Sequence, residues 1–286
     1  MRRRIFRGTF WVGIVACTLP MAGAMSALSP PGGAANIEGG WDGFYQSADG
    51  ATGMVGSNIT HLRPPRVAGE GTLFDLENGD VSYDLEATMA QPYFITGTGA
   101  ASNGRMTFQA DLENFNGLGG DAGVMSAKYR FVPSRGGANT VEALLLRPFP
   151  GVATPDISGN GSGPFASFPD PNIPGDVADP SFTGVGQVQI SPINERGMFA
   201  GRVDFRRAAN QPPIFSWPLL ATTSDNGRII MISQGATGRI VYDGVVVPPS
   251  TPEQQTFVGG FFRLRFFDGG SLYGAINFNL SRPVIN

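Results

Sequence analysis

The chain is poor in the residues on which most catalytic and metal sites are built. Its 286 residues include one Cys, one His and one Lys. The cysteine, Cys17, falls within the first 24 residues, so the remainder has no thiol for a disulfide framework or a cysteine nucleophile. Structural zinc wants several Cys or His ligands, and only His61 stands beyond the leader. A His-assisted serine mechanism would depend on the same His61, which lies in Asn58-Ile59-Thr60-His61-Leu62-Arg63-Pro64, a strand end entering a turn. No Gly-x-Ser-x-Gly elbow accompanies it. Long apolar runs are also missing: the longest, Phe10 to Met21, covers about a dozen residues where a membrane span needs ~20.

What the sequence has in excess is glycine and proline. Forty-one Gly and 23 Pro are nearly twice average usage, which is about 12 % of residues, and exclude long helices. Forty-one per cent of residues are hydrophobic and 10 % aromatic, enough to pack a core, so wholesale disorder is excluded too.

The N-terminus has the three-part form of an export signal. Arg2, Arg3, Arg4 and Arg7 precede the apolar stretch, and Ala22-Gly23-Ala24 supplies a small-x-small cleavage site, so residues 1–24 read as a signal peptide. Two variants stay open: Ile14-Val15-Ala16-Cys17 resembles a lipobox that would lipidate Cys17, and Arg3-Arg4-Ile5-Phe6 resembles the core of a twin-arginine signal. The expected location is the periplasm or the exterior, with an outer-membrane lipoprotein as the alternative. The leader holds four of the 20 basic residues and no acid, which leaves 16 basic and 23 acidic residues and a net charge of −7. Nucleic acid needs a clustered positive field and is not an expected partner. Nineteen arginines against Lys128 alone suit a high-GC bacterial genome.

Beyond the leader, residues 25–37 read as a tether, 38–147 as a first β module, 148–180 as a Pro/Gly-rich linker or long loop, and 181–286 as a second β module. Both modules consist of short β-like runs between turn signals, the pattern of antiparallel sandwiches or barrels, and closure into barrels removes exposed edges. In module one, Asn78-Gly79 suits a two-residue hairpin pairing Leu76 with Val81 and Phe74 with Tyr83, which puts Phe74, Leu76, Val81, Tyr83 and Leu85 on one face. Asn103-Gly104 likewise gathers Ile95, Met106, Phe108, Ala110 and Leu112 opposite Thr96, Thr98, Arg105, Thr107 and Gln109. Ile229 to Ile232 do not alternate and suit a strand buried on both faces.

Carboxylates supply the recurrent polar feature. The first hairpin gathers Asp75, Glu77, Asp80, Asp84 and Glu86 on one side with no cation in the same strands, a face that Ca²⁺, a basic partner or plain solvation would accommodate. An exposed hairpin offers no desolvated general acid, and the sequence assigns no catalytic residue. Aromatics offer a second candidate surface: Trp41 and Tyr45 open module one, and Phe262 and Tyr273 stand among the aromatics of the last hairpin.

Gly39-Gly40-Trp41-Asp42-Gly43-Phe44-Tyr45 resembles the opening strand of the calycin-type barrels, the lipocalins and avidins, whose first strand carries Gly-x-Trp. The resemblance implies a ligand-holding barrel and a cation from the final strand packed over the Trp, for which Arg282 is placed here. The resulting expectation is an all-β exported protein of two antiparallel modules, barrels before sandwiches, that binds a small ligand, a glycan or an envelope partner without catalysis. The alternatives are a carboxylate-dependent polysaccharide hydrolase, and a structural envelope component or outer-membrane barrel; in the main reading the membrane is reached only through a lipid anchor. Mass spectrometry of the exported protein is expected to find an unmodified N-terminus at Met25; a diacylated Cys17 would overturn that assignment.

Overall fold

The computed structural model describes residues 37–281, leaving out 64, 75–78, 92–93, 114–122, 150–155, 193–197 and 250–254. Among the described residues sixteen strands form two closed, eight-stranded antiparallel barrels. The first barrel contains β1(Gly39–Ser47), β2(Thr52–Arg63), β3(Arg66–Leu73), β4(Val81–Gln91), β5(Phe94–Ala101), β6(Gly104–Glu113), β7(Gly123–Pro133) and β8(Asn139–Arg147), with β8 closing on β1. The second contains β9(Gly159–Phe168), β10(Thr183–Pro192), β11(Met198–Arg206), β12(Phe215–Thr223), β13(Arg228–Gly235), β14(Gly238–Val247), β15(Thr256–Phe266) and β16(Ser271–Ser281), with β16 closing on β9. Each strand pairs with its sequence neighbours, so the topology is a plain meander.

Period-two patterning determines which side chains enter the lumens. On β4, Val81, Tyr83, Leu85, Ala87 and Met89 are buried while Ser82, Asp84, Glu86 and Thr88 are exposed. Large inner side chains are accommodated by inner glycines on other strands of the same barrel. A Cβ on Gly123 would lie 2.7 Å from the Trp41 ring, one on Gly71 2.4 Å from the Tyr83 hydroxyl, and one on Gly235 2.1 Å from Trp217. The aromatic rings thus fill space that the glycines leave empty.

The strand content agrees with the sequence reading; two registers and one boundary do not. β3 pairs with β4 through Leu73 and Val81, not Leu76 and Val81; Leu76 itself lies outside the described residues. A shift of three positions exchanges the faces of the incoming strand. Phe74 therefore points outward, 42 % exposed, and Leu73 takes the inner place. The backbone fixes this choice: the Phe74 N–H donates to the Met54 carbonyl at 2.9 Å, and the Tyr45 hydroxyl donates to the Phe74 carbonyl at 2.6 Å. At the Asn103 turn, Ala101 pairs with Gly104, so Ser102 and Asn103 are the central residues. That slide moves each strand by one residue along the pairing and preserves both faces; Phe108 is buried as expected. The third Asn-Gly makes a three-residue loop, closed by the Ser224 N–H donating to the Arg228 carbonyl at 2.8 Å, with Gly227 at φ 79° in the left-handed position such loops require.

The segment 148–180 is not wholly linker. Its stretch Gly159–Phe168 is β9, which closes the second barrel. Gly159, Gly161 and Gly163 occupy alternate positions there and Pro164 interrupts the rest, so the strand has no apolar alternation to read. The two barrels open alike: Ile37 and Ile157 are fully buried two residues before Gly39 and Gly159, which have φ of 118° and 141°.

The Trp41 indole N–H donates to the Ile37 carbonyl at 2.9 Å, and the guanidinium of Arg147 lies 5.4 Å from the Trp41 ring centroid while donating to the Glu38 carbonyl at 3.0 Å. The cation over Trp41 is therefore Arg147, at the end of the first barrel's own last strand. Arg282 lies outside the described residues.

An apolar seam joins the barrels. Phe44, Val124, Leu144 and Leu146 on the outside of the first meet Met198, Leu220, Ile230, Ile232, Val241 and Tyr273 on the outside of the second. Each such burial is worth roughly 1.5–3 kcal/mol. This explains the unbroken Ile229–Ile232 run: Ile229 and Met231 enter the lumen, Ile230 and Ile232 the seam. Polar bonds fix the seam's alignment. Gln46 Nε2 donates to the Ala236 carbonyl at 2.8 Å, Gln234 Nε2 to the Glu142 carbonyl at 3.2 Å, and the Phe149 N–H to Thr222 Oγ1 at 3.2 Å.

The register at Phe74 has a direct check in chemical denaturation. Phe74→Ala is expected to change stability by about 0.5 kcal/mol or less, as an exposed position does, whereas Phe108→Ala is expected to cost about 3–5 kcal/mol.

Candidate functional site

The residues singled out from the sequence go to different places. Trp41, Tyr45 and Phe262 are at most 1 % exposed and belong to the lumen cores, so they form no surface platform. Tyr273 sits in the seam with its ring stacked on that of Phe261, centroids 5.6 Å apart and planes 9° apart. Of the acidic set, Asp80, Asp84 and Glu86 are exposed; Asp75, Glu77 and Cys17 lie outside the described residues. Among the described residues no group of three or more His, Cys, Asp or Glu is gathered to hold a cation. His61 stands on β2 opposite Val67.

What the structure brings together instead is a groove of about 610 Å³ on the outer face of the first barrel, across β2 to β5. Cross-strand register builds it in two rows. Gly56, Thr72 and Ser82 form one; Asn58, Glu70, Asp84 and Ala100 form the other. Thr72 Oγ1 and Ser82 Oγ are 3.2 Å apart. Phe74 borders the groove with its ring beside Gly56: a Cβ there would lie in ordinary contact, 3.7 Å from the ring. Of these residues, Asp84 was singled out from the sequence and Phe74 was assigned to the core. Nothing in the sequence points to the groove itself, because its rows are set by the β2–β3 and β3–β4 registers.

The wall behind the groove is chemically quiet. Tyr83 faces inward, bonded to the Ser57 hydroxyl and donating to the Tyr129 hydroxyl at 3.2 Å. Burial pushes both phenols up, Tyr129 further because Tyr83 adjoins it, so both remain protonated donors at neutral pH. Glu70 and Asp84 stand in solvent directly opposite one another, without the apolar enclosure that a general acid needs. The arrangement offers an aromatic edge, amide and hydroxyl donors and two anionic acceptors. It can bind; among the described residues that line it there is no activated nucleophile or enclosed acid.

The most enclosed ion pair lies away from this groove. Asp170, at the start of the long β9–β10 connection, accepts from Arg263 on β15 at 2.9 and 3.2 Å, with both side chains largely buried. The connection is further tied by the Asp170 N–H donating to Asp176 at 2.6 Å and the Asp179 N–H donating to Ser167 Oγ at 3.0 Å. It ends in Phe182, which packs on Phe165, Phe205, Phe215 and Phe262 at one end of the second lumen. This is a structural latch.

Comparison with known proteins adds little. No protein-family model matches the chain, and no curated protein matches it. Among solved structures, the di-domain ARO/CYC StfQ from the steffimycin biosynthetic pathway aligns over 80 % of this chain and 75 % of its own, at 7 % identity and a TM-score of 0.19. That overlap is too low to support any argument about fold or activity.

The latch gives a pH dependence with a definite sign. Burial opposes ionisation of Asp170, but the Asn172 N–H and the Arg263 guanidinium outweigh it and hold the carboxyl below the usual carboxylate range. A depressed folded value stabilises above the unfolded value, about 3.9, and the contribution is lost as pH falls through the folded value. Melting temperature is therefore expected to fall below about pH 4, and Asp170→Asn to weaken that dependence in a thermal scan at several pH values. Removing the partner by Arg263→Ala is expected to cost about 3 kcal/mol at neutral pH, because it strands a buried carboxylate.

Proposed function

We propose that the protein is an exported, non-catalytic binding protein of calycin-like build, which takes a small polyhydroxylated ligand in the outer groove of its first barrel. The observation that carries this reading is the groove: about 610 Å³, bordered by the exposed Phe74 and lined by Asn58, Glu70, Thr72, Ser82 and Asp84. An aromatic face beside amide, hydroxyl and carboxylate groups is the combination that recognises a ring carrying several hydroxyls, the ring's C–H face on the aromatic and its hydroxyls on the polar row. The calycin likeness is supported by the Trp41–Arg147 pair at the closure of the first barrel. Export is supported by the leader and by the cysteine-free remainder. The polarity order, apolar inward and polar outward on strands such as β4, favours water over lipid around the first barrel. The hydrolase reading is disfavoured by the open setting of Glu70 and Asp84.

Titration calorimetry against a panel of mono- and disaccharides and polyols is expected to find a ligand whose affinity falls at least tenfold, about 1.4 kcal/mol, in Phe74→Ala and in Asp84→Asn. Undiminished binding in both variants, or no binder in the panel at millimolar concentration, would remove the groove from consideration.

A further inference from the structure

The second barrel has an outer face that neither the core nor the groove explains. Val245 and Val247 on β14 and Phe257 and Phe261 on β15 are 54, 51, 38 and 42 % exposed. The register makes them one strip: Val247 pairs with Phe257, Val245 with Gly259, and Phe261 follows two places on. The strip continues across β16 through Ala275, Asn277 and Asn279, paired with Phe261, Gly259 and Phe257 respectively. At its flank Phe261 stacks on Tyr273, so the strip is continuous with the seam.

Two properties define what this strip would take. First, it presents a built contact at Gly259. A Cβ there would lie 2.8 Å from Phe257 Cε1 and 2.9 Å from Asn277 Oδ1, so the ring leans along the sheet over the glycine and the amide stands beside it. Second, among the described residues the strip carries no net charge: Asp243, opposite Phe261, is buried and accepts from Arg228, opposite Val245, at 3.1 and 2.9 Å, while Arg263 holds Asp170. Aromatic faces interleaved with carboxamides, with no net charge, match a ligand that has C–H faces and hydroxyls and is itself uncharged. Phe257 and Phe261 are four residues apart on one face, about 13 Å at strand rise, a span that one sugar ring does not cover and a chain of several does.

We propose that the outer face of β14, β15 and β16 is a docking surface for an uncharged polysaccharide chain, laid across Phe257, Asn277 and Phe261. A second copy of the protein fits the strip less well, because a stable protein interface buries about 800 Å² on each side and four half-exposed apolar side chains amount to the patch an ordinary monomer carries. An anionic bilayer fits it less well too, since the chain is net negative and Arg228, the cation opposite Val245, is held by the buried Asp243.

The test is affinity electrophoresis of the purified full-length protein through gels containing dextran, hydroxyethyl cellulose, laminarin or xyloglucan, with alginate as the anionic control. The expected result is retardation in at least one neutral gel, insensitive to salt, reduced at least tenfold in affinity by Phe257→Ala with Phe261→Ala, and restored by Phe257→Tyr with Phe261→Tyr. Circular dichroism melting confirms that the variants fold, and Phe74→Ala is expected to leave the retardation unchanged, which separates this surface from the groove. Retardation by alginate alone, no retardation in any neutral gel, or retardation unaffected by the double alanine variant would each overturn the proposal. So would a dimer in light scattering, or co-sedimentation with anionic phospholipid vesicles, that disappears in the double alanine variant.

Discussion

The packing of large inner side chains against glycine on another strand of the same barrel is the constraint on which both barrels depend. An eight-stranded barrel encloses just enough space for side chains to fill, and here the filling is uneven: Trp41, Tyr83 and Trp217 are too large unless the facing position has no Cβ. The high glycine content is therefore part of the core. It places rings in the lumen, keeps the strands closely paired behind them, and leaves strands such as β3 and β9 with glycine at several of their inner positions.

That same constraint determines what could be read from the chain. β4 and β6 were legible because their inner positions carry Val, Tyr, Leu, Met and Phe in alternation with polar residues, and the two-barrel architecture follows from many such runs. β9 was not legible, since its inner positions at 161 and 163 are glycine and the apolar atoms that cover them belong to other strands. β3 was half legible: Val67 and Leu73 are separated by Gly69 and Gly71, so the apolar signal pointed instead to Phe74, one residue too far. The register error then concealed the groove, because Phe74 borders it only when Leu73 is inside. The cation over Trp41 was predicted in kind and misplaced in sequence; once the first barrel is seen to close on β8, Arg147 is its last strand residue. The four candidate ligand aromatics went to cores and seam because strand-spaced aromatics fill lumens before they line surfaces.

The outer surfaces divide the functional possibilities between the barrels. The first barrel offers a depression with carboxylates, amide and hydroxyls around one exposed ring. The second offers a flatter strip of rings and carboxamides without net charge. Both lie on closed sheets whose backbone groups are already paired, so recognition on either must come from side chains, and the rigidity of the sheet beneath them reduces the ordering cost of binding.

The seam makes each barrel depend on the other for cover. Leu144 and Leu146 alternate with the lumen residues Ala143 and Leu145, and Ile230 and Ile232 with Ile229 and Met231, so β8 and β13 are greasy on both sides. A barrel cut from its neighbour would present such a strand to water as a bare sheet face, an invitation to aggregate. The short connection between Arg147 and Gly159 thus does more than tie two bodies: it keeps beside each barrel the cover that its greasy outer strand needs.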